Sequence, residues 1–300
     1  MQFMLQYPDA HGAEVDLLDA GPVAELAIEA ERTGWAGMSF TEHPAPGARW
    51  LEAGGHQTLD PFVALGAAAA VTTRVRLLTY LSVIPYRNPL LLAKAAATVD
   101  KLSNGRFILG VGTGYLKGEF RALGIDFEQR NELFDEALDV LPLHWKGDSF
   151  SYEGKHFTAR EVIARPRPVQ DPIPIWIGGN SKLTLRRVAE RAQGWMPLLG
   201  PPDMAATTRT PHLDSIESIA ARLAVLREFA GDRFDSIDIA VPYPGRLDDS
   251  TVGIEQRRDH FGRLGERGVS WVIVVAPWAV HPATRDYIAG FASAHIHDAR

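Results

Sequence analysis

Three short stretches of this chain combine residue types that can bind and react. Glu42 and His43 follow an apolar run at residues 37–40. An imidazole ionises near neutrality, so it can exchange a proton or donate to charge that develops during a reaction. Gly112-Thr113-Gly114-Tyr115 ends a second apolar run, where glycines let the backbone approach a ligand or simply make the turn. In the third stretch, Ile175, Trp176 and Ile177 stop at Gly178-Gly179-Asn180-Ser181. Leu185, Val188, Ala189 and Ala192 then recur at helical spacing. Strand, tight turn and helix start, with Asn180 or Ser181 as cap, present free backbone N–H groups that suit a phosphate. The same order also describes an ordinary strand-to-helix turn. Trp50, Tyr115 and Trp195 are candidates for a pocket wall or for plain core.

These stretches need a scaffold, and composition bounds it. The 300 residues are 46% hydrophobic and 23% charged, which fits one large α/β barrel or two smaller domains. A formal charge of −6, with no run of Lys or Arg, argues against nucleic-acid binding. There is no cysteine, hence no disulfide, thiolate metal site or thiol nucleophile. His11, His43 and His56 have neither H-x-H nor H-E-x-x-H spacing, so no metal site is expected. The amino terminus lacks a basic-then-apolar leader and no apolar run reaches membrane-spanning length. A soluble cytoplasmic protein is expected, with no membrane partner.

Apolar runs at 2–7, 37–40, 75–84, 106–111, 173–177, 194–199, 237–241 and 271–275 read as strands, each separated from the next by a helical pattern. The run 75–84 is apolar on both faces, as buried parallel strands are. Asp60-Pro61 caps one helix, and the alanines after it suggest close packing. Pro142 costs about 3 kcal/mol in a helix interior, so a kink or early stop is expected there. Residues 146–172 read as an insertion before strand five, with a hairpin turn at Glu153-Gly154. Arg130 and Glu136 read as an ion pair or a solvated face, and residues 203–215 as a mobile loop or lid. Eight alternations in one domain spanning 1–300 predict a (β/α)8 TIM barrel. The open doubly wound alternative would need G-x-G-x-x-G for a dinucleotide site, and both registers at Gly110 and Gly112 fail. In a barrel the strand exits share one face, which gathers residues 41–43, 79–82, 112–115, 178–181 and 195–198.

The run PYRNPLLLAKAAATVDKLSNGRFILGVGTGYLKGEFRALG at 85–124, DFEQR at 126–130, PIPIWIGGNS and ERAQGW together resemble the bacterial luciferase-like monooxygenase superfamily. Within it the chain is most similar to the branch that uses the deazaflavin coenzyme F420. The resemblance implies a flavin-like ring at the carboxyl-terminal mouth of the barrel. It also implies a non-prolyl cis peptide at Thr79-Tyr80-Leu81, behind the ring, with Tyr80–Leu81 the expected bond. Tyr80 departs from the small residue usual there, so either the bulge is shifted or the tyrosine points into the site. By the same resemblance His43 lies beside the reactive edge of the ring. Glu42, where relatives often carry aspartate, would orient His43, act as base or contact the ring. Gly112, Thr113 and Gly114 would approach the coenzyme, and Gly178, Gly179, Asn180 and Ser181 would receive its phosphate. The implied activity is hydride transfer between F420 and a small organic substrate, with a homodimer as the assembly. The alternatives are an FMN-dependent monooxygenase using oxygen and a non-catalytic flavin- or deazaflavin-binding protein.

Overall fold

The computed structural model describes residues 1–11, 15–244 and 250–296. Eight strands pair in parallel and close on themselves: β1 (Gln2–Gln6), β2 (Gly37–Phe40), β3 (Arg76–Thr79), β4 (Phe107–Gly112), β5 (Ile175–Gly178), β6 (Gly194–Met196), β7 (Asp238–Pro244) and β8 (Trp271–Val275). Closure comes from β4 pairing with β5 and from β8 pairing with β1. The principal helices outside the ring are α1 (Val23–Arg32), α2 (Pro61–Val71), α3 (Pro89–Leu102), α4 (Arg130–Lys146), α5 (Lys182–Arg191), α6 (Ile216–Ala230), α7 (Thr251–Glu266) and α8 (Ala283–His295). This is the expected (β/α)8 barrel.

Two apolar layers hold it. Inside the ring Met4, Leu78, Ile108, Trp176, Met196, Trp271 and Ile273 are buried together, with Trp176 and Trp271 edge to face at 5.6 Å. The interior is therefore a packed core, and a ligand must sit above it at the strand ends. Outside the ring, the strands bury their other face against the helices. Small residues bring α2 and α3 close: Ala64, Ala68 and Ala69 are buried on one, Ala93, Ala96 and Ala97 on the other. The caps form as the sequence suggests, with Asp60 accepting from the N–H of Phe62 and Val63 at 2.9 and 3.0 Å.

Several segments add detail to their expectations or depart from them. The third strand is broken: β3 stops at Thr79, and Ser82–Val83 resumes pairing with β4 one residue out of register, Leu78 facing Ile108 but Ser82 facing Val111. Continuous hydropathy hides such a bulge because both pieces are apolar. Helix α4 runs through Pro142 to Lys146; buried Leu141 and Trp145, whose indole donates to Ala93 O at 3.1 Å, hold its last turn. The insertion does contain an antiparallel hairpin, Phe150–Glu153 with Thr158–Val162. Glu136 is not paired with Arg130: its carboxylate accepts the N–H groups of Lys155, His156 and Phe157 and so clamps that hairpin's turn, while Arg130 lies over the Phe127 ring. Residues 203–215 hold a short helix, Pro202–Thr208, and a buried Leu213 whose carbonyl accepts from Gly200 N, so the segment is anchored rather than loose.

Candidate active site

His43 leaves β2 at the carboxyl-terminal end of the ring and is fixed from three sides. Its N–H donates to Thr58 Oγ1 at 2.8 Å, and its Nδ1 lies 3.2 Å from Glu119 Oε2. The Trp50 indole covers the imidazole with ring centres 4.6 Å apart, and Tyr115 meets it edge-on at 6.1 Å. Trp50 owes its place partly to Gly55, where a Cβ would come within 2.3 Å of the indole. Glu119 is 1% exposed and also accepts the Tyr86 hydroxyl at 2.7 Å and Ala45 N at 3.3 Å. Burial, then this carboxylate, push the Tyr86 hydroxyl's pKa well above the usual phenol range, so it stays a donor. The same two causes raise Tyr115 to about 12.

Glu42 does not orient His43. Its buried carboxylate turns away from His43 and accepts from Val83 N at 2.7 Å, from Ser82 Oγ at 3.2 Å and from the Arg87 guanidinium. Burial raises its pKa, against the opposing pull of Arg87 and these donors. It therefore ties the exit of β2 to the resumed third strand directly after the bulge. The orienting carboxylate of His43 is Glu119, 76 residues away in sequence, which spacing alone does not reveal.

The bulge carries the cis peptide at the expected bond, Tyr80–Leu81. Tyr80 packs against the barrel interior, and Thr79 is fully buried with its hydroxyl on Gly110 O at 2.7 Å. Leu81 fills the space that two glycines leave: a Cβ on Gly112 would stand 2.6 Å from its side chain and one on Gly178 2.3 Å. These glycines serve close packing around Leu81. Gly114, with φ +75° and Val83 2.6 Å from where its Cβ would be, serves the turn, and Thr113 is half-buried beside it.

At the β5 exit the four candidate residues divide. Gly179 takes φ +118° and its N–H donates to Met196 O. Asn180 is fully buried and its amide is saturated, donating to Leu198 O and Pro211 O and accepting from Leu198 N, so it clamps neighbouring loops rather than offering donors to a ligand. Ser181 caps α5, accepting Thr184 N at 3.0 Å. The next amides, of Lys182 and Leu183, begin the helix without intrahelical partners, and they and Ser181 are the part of this turn able to meet an anion. Trp195 is no pocket wall: it is fully buried, its indole donating to Gly179 O at 2.8 Å. A cavity of about 690 Å³ opens at the opposite, amino-terminal end of the strands, lined by Gln2, Arg76, Pro174 and Asp238, away from these residues.

A model of the luciferase-like monooxygenase family matches residues 1–242 of the sequence. The chain belongs to that family. An uncharacterised protein of Mycobacterium tuberculosis is 34% identical over 232 residues, covering 77% of this chain and 73% of that one. The F420-dependent glucose-6-phosphate dehydrogenase of Nakamurella multipartita is 31% identical over 225 residues, covering 72% and 64%. The solved monooxygenase RslO1 from Streptomyces bottropensis superposes with a TM-score of 0.77 over 100% of both chains at 21% identity, a likeness of fold. In this luciferase-like barrel the residues present fit a planar coenzyme with an anionic end. Leu81, seated on two glycines, is an apolar platform; His43, Trp50 and Tyr115 cluster with one another at the mouth; the α5 start supplies amides and the exposed Lys182.

Proposed function

We propose that this protein is an oxidoreductase that binds coenzyme F420 at the carboxyl-terminal mouth of its barrel and transfers a hydride between it and a small organic substrate. The observation that carries the reading is the His43–Glu119 pair, buried beneath Trp50 beside the Leu81 bulge. Similarity to an F420-dependent dehydrogenase supports the choice of coenzyme. When bound, a deazaflavin accepts or gives hydride at a ring carbon and reacts poorly with oxygen, whereas a flavin has nitrogen there and can activate oxygen.

The chain's own contribution is positional and electrostatic. Leu81 backs the ring from the barrel side. Ser181 and the first amides of α5 hold the phosphate, where the positive end of the helix favours an anion. Glu119 accepts from Nδ1 of His43 and fixes the tautomer, leaving Nε2 as the nitrogen for the ligand side. His43 steadies charge as it develops, and Trp50 excludes water so that this contact counts for more. Glu42 and Arg87 keep the bulge in place. A cytoplasmic homodimer belongs to the same reading, and sedimentation velocity measures the assembly.

The deciding experiment titrates the purified chain with F420 and with FMN, following absorbance and fluorescence while oxygen uptake is recorded. F420 binding without oxygen uptake is expected, and His43→Ala should retain coenzyme but lose turnover. Tight FMN binding with substrate-dependent oxygen consumption would replace this reading by the monooxygenase one. F420 bound with no turnover on any alcohol or carbonyl panel would favour a carrier protein.

A further inference from the structure

A second carboxylate and a second histidine meet at the same mouth, and the reading above does not use them. Asp9 lies in the loop leaving β1, and His56 lies in a two-residue strand that pairs antiparallel with Ala10–His11 as a ribbon. The ribbon brings Asp9 Oδ2 to 3.6 Å from His56 Nδ1, within ion-pair distance. The His56 ring stands nearly perpendicular to that of His43, centres 5.0 Å apart, and Trp50 reaches both, at 5.5 and 4.6 Å. Two carboxylate–imidazole pairs, Glu119 with His43 and Asp9 with His56, thus face one another under one indole.

Asp9 sits in a setting that makes its carboxyl harder to ionise. Its side chain is only 13% exposed. Thr41 Oγ1 donates to it at 2.9 Å and Gln6 Nε2 at 2.5 Å, and the Tyr80 hydroxyl is near enough that the carboxylate's charge, after burial, pushes that phenol's ionisation upward. Among the described residues no Lys or Arg pairs with it, in contrast to Glu42 with its Arg87. Burial without a fixed cation raises the Asp9 pKa to about 7, the donors from Thr41 and Gln6 pulling the other way. A carboxyl that is half-ionised near neutrality beside an imidazole has the character of an acid–base partner rather than of a structural anion.

We infer that Asp9 and His56 form the proton-transfer pair of this site, serving a substrate that interconverts a hydroxyl and a carbonyl. The inference rests on the hydride-transfer reading. In the oxidising direction the substrate C–H bond breaks with its electron pair going to the coenzyme. The substrate O–H bond breaks with its proton going to His56 Nε2, and the carbonyl forms. Asp9, at ion-pair distance from His56 Nδ1, compensates the imidazolium charge; in the reducing direction the proton returns to the carbonyl oxygen. His43 remains with the ring, and the two histidines divide coenzyme and substrate between them. Asp9 acts through His56 and is a positioning residue.

The test uses the full chain labelled in histidine, with His56→Asn assigning the resonances. In Asp9→Asn the His56 titration midpoint should fall by about one pH unit, while that of His43 stays. With coenzyme and an alcohol or carbonyl panel, Asp9→Asn should move one limb of the kcat/KM pH profile by a similar amount. His56→Asn should lower kcat by about 10²-fold with the F420 dissociation constant nearly unchanged, and Asp9→Glu should restore part of the wild-type profile. A His56 midpoint indifferent to Asp9→Asn overturns the pairing. A pH profile and kcat indifferent to both substitutions, in a chain that binds F420 and turns over, overturn the pair's role alone. A wild-type chain that binds no F420 overturns the coenzyme reading and the pair's role with it, a result distinct from the other two.

Discussion

The Asp9 carboxyl offers a measurement that needs neither coenzyme nor substrate. Its pKa rises from an ordinary 3.8 to about 7 in the folded chain, chiefly through burial. The folded state then holds the proton more tightly than the unfolded state, so stability is greatest below the unfolded pKa and is lost as pH rises through the folded one. Between pH 5 and pH 8 the loss spans about two pH units at about 1.4 kcal/mol each, or about 3 kcal/mol. Asp9→Asn keeps the shape and one acceptor but cannot ionise. The stability of the variant relative to wild type should therefore grow by about 3 kcal/mol from pH 5 to pH 8. At about 2.1 cal/mol/K per residue of unfolding entropy, that is a relative gain of about 4–5 °C in melting temperature for a chain of this size. Melting curves or urea titrations of both proteins at several pH values measure it, and the difference between them cancels to first order the titrating groups that do not touch Asp9. A wild-type-minus-variant difference that is flat across this window would refute the placement of Asp9 in a desolvated site.

Two further substitutions probe the other parts of the site. Glu119→Gln places one amide oxygen where a carboxylate accepts from three groups, Tyr86, His43 and Ala45. Losing a charge-assisted bond worth about 1.5–3 kcal/mol should lower kcat by about 10- to 100-fold while F420 affinity changes little; unchanged turnover would remove Glu119 from the orienting role. Gly178→Ala puts a methyl 2.3 Å from Leu81 Cδ2. Overpacking of about 1–3 kcal/mol is expected, together with weaker coenzyme binding, and Leu81→Ala in the same chain should relieve it. Additive effects in the double variant would show that the two do not meet.

What the sequence makes legible follows from what is local. Strands β2 and β8 carry the bounds read from their apolar runs, because short β-branched or aromatic segments between glycine and polar breaks have few other readings. The alternation of strands and helices made the barrel readable, and family likeness located the Tyr80–Leu81 bond, which hydropathy does not register. Contacts between distant residues stayed hidden. Glu119 belongs to a run already notable for its glycines, yet nothing nearby shows that it meets His43 and Tyr86. Glu42, adjacent to His43 in sequence, is turned toward Arg87 because a buried carboxylate takes the available cation and amide. Trp195 and Asn180 look like site residues by position at a strand exit, and burial makes both of them structural.

The ribbon of Ala10–His11 with His56–Gln57 also divides the mouth by ancestry of its parts. Residues that would face a substrate come from the loops after the first two strands, whereas the bulge, its glycines and the α5 start come from the third, fourth and fifth. Under the proposed function, diversity libraries within residues 44–59 that spare Trp50, Gly55, His56 and Thr58 would vary the substrate side while leaving the supports of His43 in place. A change of coenzyme preference calls for substitutions on the other arc of the ring.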